Sequence, residues 1–402
     1  MKTAILGYGN IGSGVAQVLR MNADCVARRA GEPLEVKYVL DLREFPGDPM
    51  EKYVVHDLDI IVNDPEVKIV VETMGGTKPA YDFVKACLKA GKHVATSNKE
   101  LVAKHGAELM QIAEEKHINF LFEASVGGGI PIIRPLNECI TADEIDEITG
   151  ILNGTTNFML TEMAQEGMPY EEVLKQAQEL GYAERNPEAD VEGHDACRKI
   201  SILASLVYGR QVDSEEVYTE GITELSDRDM AYAAAMGRTV KLLGTARKKN
   251  GEVYVMVSPV MIGQDHPLYS VNGVLNGILV NGGVIGDLMF YGAGAGKLPT
   301  ASAVVADMVD AARNQQVTVM QRWSAEKLEL GDWKKTEKQF FVRLSGNPEN
   351  RLAEAEKAFG PCQVQKISGM EEFGVVTPVL SEADFEEAAA RLEGVISRIR
   401  LA

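Results

Sequence analysis

The chain has 402 residues, of which 45% are hydrophobic and 25% charged, and its formal net charge is −18. At about 150 residues per domain, this length predicts two or three domains, each with its own core. The acidic balance argues against nucleic acid or an anionic membrane as main partner, because phosphates are met by clustered Lys and Arg.

Cysteine usage and the N-terminus bear on the compartment. The 5 cysteines are scattered without a C-x-x-C pair, which is typical of reduced thiols rather than of a disulfide framework. Glycines and polar residues interrupt the apolar N-terminal stretch, so a signal peptide is not expected, and no stretch is long enough to span a bilayer. We expect a cytoplasmic protein that acts on a small molecule and has no membrane partner.

The first predicted element is an apolar strand that leads directly into Gly7-Tyr-Gly9-Asn-Ile-Gly12, and a helical pattern follows. This G-x-G-x-x-G arrangement is the fingerprint of a dinucleotide-binding unit. We expect Gly7 to allow the tight turn, Gly9 to let a pyrophosphate approach the backbone, and Gly12 to let helix and strand pack closely. The pyrophosphate would lie at the helix N-terminus, where N–H groups and the dipole favour an anion. A turn without a ligand is the alternative.

Short apolar strands alternate with helical segments over residues 1–130, which predicts a parallel α/β sheet. In such sheets ligands bind beyond the carboxyl ends of the strands. The strands are predicted at 36–40, 69–71, 93–96 and 119–122, and the residues that follow them are Asp41, Glu72 to Gly76, Ser97 to Lys99, and the loop 123–131.

The residues after the second strand leave the choice of nicotinamide cofactor open. A carboxylate at the position of Asp41 usually binds the ribose 2′-hydroxyl of NAD, although its distance from Gly12 exceeds the usual spacing of about 20 residues. Arg43 could instead meet the 2′-phosphate of NADP. A turn of no consequence is the third interpretation, so we predict NAD(P).

Residues 131–300 predict a second, α+β domain whose sheet is largely antiparallel or mixed and covered by helices. Helices are predicted at 157–166, 170–180 and 196–207, and strands at 145–152, 252–261, 277–280 and 286–291. A loop at 292–300 leads to a helix at 301–313, which we assign with residues 301–315 to the first domain.

The C-terminal quarter predicts a linker and a small module. Residues 316–339 are polar and charged, as linkers often are. Residues 340–402 predict an α/β module, with strands at 340–344 and 374–379 and helices at 351–359 and 382–399.

The densest group of chemically capable residues lies at 177–199, where a carboxylate-rich loop precedes a helix that starts near Asp195. Asp195 and Lys199 are four residues apart and share one helix face. Taken alone, such a pair is usually a solvated salt bridge worth about a few tenths of a kcal/mol. The residues after Lys199 are apolar on most sides, which predicts a buried pair, and a catalytic lysine is one reason to retain it. His194 is the rival acid/base group.

Residues 177–199 resemble the signature of the homoserine dehydrogenase family, A-x-x-x-G, aromatic, small, acidic, then N-P-x-x-D-V-x-G-x-D-x-x-x-K, without a gap. Segments 7–12, 96–99, 123–131, 153–157 and 292–300 resemble that family in the same order. The resemblance covers roughly residues 1–315. It implies a Rossmann-type domain at 1–130 plus 301–315 and a substrate-binding and dimerisation domain at 131–300.

The resemblance also implies a reaction, the interconversion of L-homoserine and L-aspartate 4-semialdehyde with a nicotinamide cofactor, in threonine, methionine and isoleucine biosynthesis. It implies that Lys199 is the acid/base group, that Lys99 is a second ammonium near the reacting oxygen, and that Asp195 orients lysine or substrate. The substrate-binding set it implies is Glu184, Asp190, Gly154 and Thr155. Two alternatives are another nicotinamide-dependent amino-acid alcohol or aldehyde dehydrogenase and a non-catalytic nucleotide-sensing regulator.

Fingerprint and resemblance together give the ligand sets. The predicted cofactor-binding set is Gly7, Gly9, Asn10, Ile11, Gly12, Asp41, Arg43, Thr73, Gly75, Lys99 and Gly296. The family carries a structural monovalent cation, Na⁺ or K⁺, held by backbone carbonyls, and the corresponding residues are Glu123, Val126, Gly128 and Ile130. The histidines show no metal-ligand spacing, so a catalytic transition metal is not expected.

The C-terminal module resembles an ACT-type regulatory domain, which in this family often relates to feedback by threonine. Glu349 stands where the usual pattern has the glycine that lets an effector approach the helix. A threonine effector and a degenerate packing or dimerisation module therefore both remain open. By resemblance we expect a homodimer or homotetramer.

Overall fold

The computed structural model describes residues 1–319 and 323–402, which divide into two compact units. Unit 1 comprises Met1–Glu144, Ser201–Ser214 and Phe290–Leu328, and unit 2 comprises Ile145–Ile200, Glu215–Met289 and Glu329–Ala402. None of the helices in these described ranges is both long and apolar enough to cross a membrane.

Unit 1 begins with alternating strands and helices. They are β1 Lys2–Leu6, α1 Asn10–Met21, α2 Ala23–Ala30, β2 Glu35–Leu40, β3 Val54–Val55, α3 Leu58–Val62, β4 Val67–Glu72, α4 Ala80–Lys89, β5 His93–Thr96, α5 Lys99–Glu115 and β6 Phe120–Leu121.

These strands form one parallel sheet in the order β3-β2-β1-β4-β5-β6, and this confirms the predicted parallel α/β sheet. The order is that of the Rossmann fold, and it reverses between β1 and β4, where such sheets bind ligands. Strand β1 is buried from Thr3 onward, as expected of a parallel strand covered on both faces.

The remaining elements follow in chain order. They are β7 Ile145–Ile151, α6 Gly154–Gln165, α7 Tyr170–Glu179, α8 Glu188–Val191, α9 His194–Tyr208, β8 Arg210–Gln211, β9 Tyr218–Thr219, α10 Asp227–Ala235, β10 Arg238–Lys249, β11 Glu252–Gly263, β12 Leu275–Gly282, β13 Gly286–Ala293, α11 Lys297–Arg313, β14 Ser324–Lys327, β15 Glu337–Ser345, α12 Pro348–Phe359, β16 Gln363–Gln365, β17 Glu372–Val376, β18 Leu380–Ser381, α13 Glu382–Ala390 and β19 Val395–Leu401.

The sheet of unit 2 is mixed and mainly antiparallel, as predicted, and its strands run in the order β12-β7-β10-β11-β19-β15-β17-β16, with β13 beside β12. The long hairpin of β10 and β11 was missed as a hairpin because β10 was not predicted. Its turn is Asn250 and Gly251, both with positive φ, which is the residue pair that a two-residue hairpin turn favours.

Apart from the two-residue strand β18, the C-terminal residues form a β-α-β-β-α-β arrangement from β15 to β19, which is the ferredoxin-like order of elements. Strand β19 pairs in parallel with β11, so these strands extend the sheet of unit 2. The predicted helix at 382–399 is wrong beyond Ala390. Gly394 has a φ of +72°, and the alternating residues after it pair with β15 as β19.

Two further predictions need correction. Helix α11 begins at Lys297, four residues before the predicted start, because its cap is Gly296 and Pro299 is tolerated in a first turn. The segment predicted as a linker contains strand β14 and the buried Trp323, whose ring nitrogen donates to Gln211. Residues 320–322 of that segment lie outside the described residues.

Candidate active site

The glycine turn after β1 has the geometry that the fingerprint predicts. Gly7 has a φ of +86°, and a Cβ there would lie 2.8 Å from the Cγ of Met74. A Cβ on Gly12 would overlap the carbonyl oxygen of Gly7, whereas a Cβ on Gly9 would meet no atom within 4 Å. Helix α1 starts directly after Gly9, which as the N-cap residue provides no side-chain hydrogen bond to the first N–H groups. Asn10 and Ile11 form its first turn, so the turn has room and donors for a pyrophosphate.

Asp41 and Arg43 lie together at the end of β2. The Arg43 guanidinium donates to both carboxylate oxygens at 2.9 Å, and the backbone N–H of Tyr8 donates to Oδ2 at 2.8 Å. The hydrogen bonds from Arg43 hold the pKa of Asp41 well below its usual range. The Asp41 side chain is 9% exposed and that of Arg43 is 61% exposed. The arginine is thus the part of this pair that can move toward a ligand.

The residues after β4 and β5 complete the edge of the sheet. The hydroxyl of Thr73 donates to Gly7 O at 2.8 Å, so Thr73 braces the glycine turn. Gly75 has a φ of +78° and open space around it. Lys99 is the first residue of α5, whose N-cap is Asn98. Gly296 caps α11 in the same unit with a φ of +120°.

The loop predicted to hold a cation is buried and tightly turned. The Glu123 carboxylate accepts the N–H groups of Ile132, Ile133 and Arg134 at 2.6–2.9 Å, so this residue would offer a cation its backbone carbonyl rather than its carboxylate. Gly128 has a φ of +57° and abuts Gly294. Within the described ranges no three His, Cys, Asp or Glu side chains converge as a metal site. Backbone oxygens of Glu123, Val126, Gly128 and Ile130 suit a hard cation.

Asp307 on α11 anchors this loop and was missed by sequence reasoning. It accepts the N–H of Glu123 at 3.0 Å and a guanidinium N–H of Arg134 at 2.7 Å. Full burial raises its pKa well above the usual value, the charge of Glu123 raises it further, and the charge of Arg134 opposes this. An acidic residue between the buried Val305 and Met308 of α11 was the available signal.

The predicted lysine and carboxylate of unit 2 form a buried ion pair. Lys199 Nζ lies 2.7 Å from Asp195 Oδ2 and donates to the carbonyl of Leu152 at 2.7 Å. The two side chains are 10% and 5% exposed. Burial of the pair therefore agrees with the apolar character of α9, and its environment strengthens the electrostatic contact.

Asn153 joins this pair to a second carboxylate, and it was absent from the predicted set. Its Nδ2 donates to Asp190 Oδ1 at 2.7 Å and to Asp195 Oδ2 at 3.0 Å, while its Oδ1 caps α6 through the N–H of Thr156. Burial raises the pKa of Asp190, and the hydrogen bond from Asn153 opposes that rise. The sequence signal was an Asn-Gly-Thr-Thr helix start.

The other predicted substrate residues lie at the start of α6 and in the acidic loop. Gly154 is the first residue of α6, and a Cβ there would lie 2.9 Å from Val274 O. The Thr155 hydroxyl donates to Tyr182 O at 2.7 Å, at the start of the acidic loop. Glu184 lies in that loop and is exposed. His194 is the exposed first residue of α9.

Comparisons with known proteins decide the family. Residues 131–309 match the family model described as homoserine dehydrogenase, and residues 7–123 match the one described as homoserine dehydrogenase, NAD binding domain. The homoserine dehydrogenase of Neisseria gonorrhoeae is 43% identical over 311 residues, which are 77% of this chain and 72% of that protein. The chain belongs to the homoserine dehydrogenase family. It is an oxidoreductase of that family, and its unit 1 contains the NAD-binding domain.

Further homoserine dehydrogenases are similar to this chain in sequence or in structure. The Bacillus subtilis protein is 41% identical over 322 residues, 79% of this chain and 74% of that protein. The crystal structure of a homoserine dehydrogenase from Thiobacillus denitrificans has a TM-score of 0.91 at 36% identity and covers 100% of this chain and 98% of that one. A hyperthermophilic archaeal homoserine dehydrogenase in complex with NADPH has a TM-score of 0.67 at 28% identity, over 77% of this chain and 97% of that one.

Proposed function

We propose that this chain interconverts L-homoserine and L-aspartate 4-semialdehyde with NAD(P), in threonine, methionine and isoleucine biosynthesis. The observation that carries the proposal is the buried contact of 2.7 Å between Lys199 and Asp195 within the family signature. When bound, the nicotinamide supplies the hydride acceptor or donor.

Lys199 accepts the proton of the substrate hydroxyl during oxidation and donates it during reduction. Oxidation of an alcohol to an aldehyde releases that proton, so a group within hydrogen-bond reach must take it up, and must return it in the reverse direction. Lys199 Nζ is this group, and Asp195 and the carbonyl of Leu152 orient it. The role of a second ammonium is assigned to Lys99 by the resemblance alone.

Carboxylates bind the α-amino group of the substrate. Glu184 is exposed in the acidic loop and Asp190 is half-buried behind it, so the two offer charge-assisted hydrogen bonds to an ammonium. Gly154 and Thr155 bind the substrate at the start of α6. A site of this kind rejects analogues that lack the amine.

Either nicotinamide fits the end of β2. Asp41 binds the ribose hydroxyls of NAD, and its fixed negative charge disfavours a 2′-phosphate. The exposed Arg43 offers the opposite charge and leaves Asp41 when it binds the phosphate of NADP. The ratio of kcat/KM for the two cofactors decides between them.

The same proposal covers a monovalent cation and the C-terminal residues. The buried loop at 123–130 holds Na⁺ or K⁺ through its backbone carbonyls. Residues 340–402 form an ACT-like module, in which Glu349 stands in place of the usual glycine and the nearby Arg351 donates to the backbone of Ser345 and Glu393. This arrangement favours a degenerate module over threonine binding. Exposed apolar side chains at Val284 and Ile285, next to β13, favour assembly into a homodimer or homotetramer.

The test is absorbance at 340 nm with L-homoserine and either cofactor at alkaline pH. We expect homoserine-dependent reduction by the wild type and a loss of roughly 10²–10⁴-fold in kcat for Lys199→Ala, the usual contribution of a positioned acid/base group. The matched control is Lys175→Ala, which removes an exposed lysine from an i, i+4 pair with Glu179.

The other outcomes identify the alternatives. Reduction of NAD(P) in the presence of a different amino-acid alcohol, but not of homoserine, would show that the chain is a related dehydrogenase. Cofactor binding without turnover on any such substrate would make it a nucleotide-sensing regulator. Equal turnover by Lys199→Ala and Lys175→Ala would show that Lys199 is not the acid/base group.

A further inference from the structure

Glu72, the last residue of β4, is a fully buried carboxylate that the mechanism above does not use. Its Oε2 accepts the hydroxyl of Thr96 at 2.6 Å, and its Oε1 accepts the N–H of Met74 at 2.7 Å and, more weakly, Nδ2 of Asn98 at 3.5 Å. A buried acidic group that is not paired with a cation needs a full set of donors. Glu72 has such a set.

These donors come from two backbone segments. Met74 lies in the turn that carries Thr73 and Gly75, and Thr96 and Asn98 lie in the segment that leads into α5. Burial raises the pKa of Glu72, and the hydrogen bonds from Thr96, Met74 and Asn98 oppose that rise. All of these partners donate, so they favour the ionised carboxylate.

Asn98 transmits the arrangement to Lys99. Its Oδ1 accepts the N–H of Leu101 at 3.1 Å and thereby caps α5, whose first residue is Lys99. Its Nδ2 faces Glu72 and also donates to Gly76 O at 2.7 Å. The amide orientation of Asn98 is thus fixed from both sides. Glu72 therefore fixes the position of the 73–76 turn relative to the start of α5.

We propose that Glu72 is a positioning residue for hydride transfer, which sets the 73–76 turn and Lys99 for the bound nicotinamide through Met74 and Asn98. The proposal rests on the proposed function. It assigns to Glu72 a role in cofactor geometry rather than in the stability of β4 alone.

The first test compares Glu72→Gln with Glu108→Gln. Glutamine keeps the shape of Glu72 and loses the charge, and Glu108 is a partly exposed residue of α5 that bonds to Tyr81 and Lys85 away from the turn. We expect Glu72→Gln to lower kcat about 10- to 100-fold, the scale of a small misplacement of reacting groups. Its KM for homoserine should stay within about twofold, because uniform binding of the substrate is untouched. NADH fluorescence should show a dissociation constant several-fold above that of Glu108→Gln.

A second variant, Asn98→Ser, keeps a capping oxygen and removes both Nδ2 bonds. If Glu72 acts through Asn98, the double variant Glu72→Gln/Asn98→Ser should lose little more in kcat and NADH affinity than the worse single variant. The proposal would be overturned if the fold-losses of the two single variants multiplied in the double variant, both in kcat and in NADH affinity. A Glu72→Gln protein that binds NADH and turns over like Glu108→Gln would also overturn it, even if it unfolds at a lower temperature.

The NADH titration separates this proposal from the proposed function. If the wild type does not oxidise homoserine, the function fails, and the dissociation constants of the variants still decide the role of Glu72 at the cofactor. If Glu72→Gln does not fold, the Asn98→Ser variant decides, since an NADH affinity equal to that of Glu108→Gln would overturn the proposal.

Discussion

Asn153 holds two carboxylates that would otherwise repel each other. Its single amide group donates to Asp190 and Asp195, and Asp195 in turn contacts Lys199. A buried and a half-buried carboxylate can lie close together when a donor lies between them and a cation neutralises one of them. The amide therefore determines how much negative charge surrounds the lysine.

The first prediction is that Asn153→Ser impairs catalysis while α6 stays capped. Serine supplies a capping oxygen but has no second donor. Without the second donor Asp195 is less firmly placed beside Lys199, so kcat/KM for homoserine should fall about 10- to 100-fold, the scale of a small misplacement of reacting groups. Steady-state kinetics measure this, and Asn347→Ser at the exposed cap of α12 is the control. Unchanged kcat/KM would limit Asn153 to capping.

The second prediction concerns His93, which is buried at the start of β5. Burial lowers its pKa to about 4 from 6.5, and its Nδ1 accepts the N–H of Asn119 at 3.1 Å, as a neutral ring does. In the unfolded chain the ring binds its proton near pH 6.5. The free energy of unfolding should therefore fall as the pH drops from 6.5 to 4, by about 3 kcal/mol from this residue.

Urea unfolding at several pH values between 7 and 4 measures this effect. Other carboxylates contribute to acid unfolding, so the quantity of interest is the difference between wild type and His93→Gln. We expect the variant to lose less stability across this range. The control His117→Asn changes an exposed histidine with a φ of +54°, which asparagine adopts readily. Parallel curves for wild type and His93→Gln would contradict the prediction.

At the scale of elements, the glycines of the β1–α1 turn do different work. A Cβ on Gly12 would overlap a backbone oxygen, whereas the space around Gly9 is open. The third prediction is that Gly9→Val folds like the wild type and loses at least tenfold in NAD(P) affinity, because the side chain occupies the space of the pyrophosphate. Gly12→Ala should instead lower the midpoint of thermal unfolding. Thermal scans and NADH titration distinguish the effect on stability from the effect on cofactor binding. An unchanged NADH affinity in Gly9→Val would mean that the nucleotide binds at another place.

The sequence predicts elements well where local pattern and fold agree. Strands β1, β2, β4 and β5 are apolar runs followed by polar or glycine residues, and each was predicted within a few positions. Strand β10 begins and ends with basic residues, so its pattern is weak, although the Asn250 and Gly251 turn was a usable signal. In β19, the apolar spacing of Val395, Ile396 and Ile399 fits a helix as well as a strand, and only pairing with β15 decides.

In the candidate site, too, contacts set by local helix geometry could be predicted and contacts set by tertiary structure could not. Asp195 and Lys199 could be paired from their spacing alone, because helix geometry fixes that contact. The contacts of Asn153 with Asp190, and of Glu72 with Asn98, join residues 37 and 26 positions apart. Their geometry depends on tertiary register, which a local pattern does not carry.

At the scale of the whole molecule, the C-terminal strands are joined to unit 2 by more than sheet pairing. They have an apolar cluster of their own, which includes Phe340, Phe373 and Phe385. They also contribute Arg400, which is 1% exposed and contacts Glu382 of α13 at 2.5 Å and Glu220, which lies outside the C-terminal residues, at 2.6 Å. The contact with Glu220 therefore crosses the junction, whereas the contact with Glu382 stabilises the C-terminal residues themselves.

The fourth prediction tests the buried charges around Arg400. Arg400→Met leaves the buried Glu382 without its partner, which typically costs about 3–5 kcal/mol. Glu220 keeps the guanidinium of Arg398 at 2.8 Å, so the loss should come mainly from Glu382. The double variant Arg400→Met/Glu382→Leu should recover most of it, because apolar residues often replace a buried ion pair without loss. Denaturant unfolding measures each free energy, with Arg391→Met at an exposed pair with Glu387 as the control. If Arg400→Met were as stable as that control, the buried pair of Arg400 and Glu382 would contribute nothing measurable to the stability of the C-terminal strands.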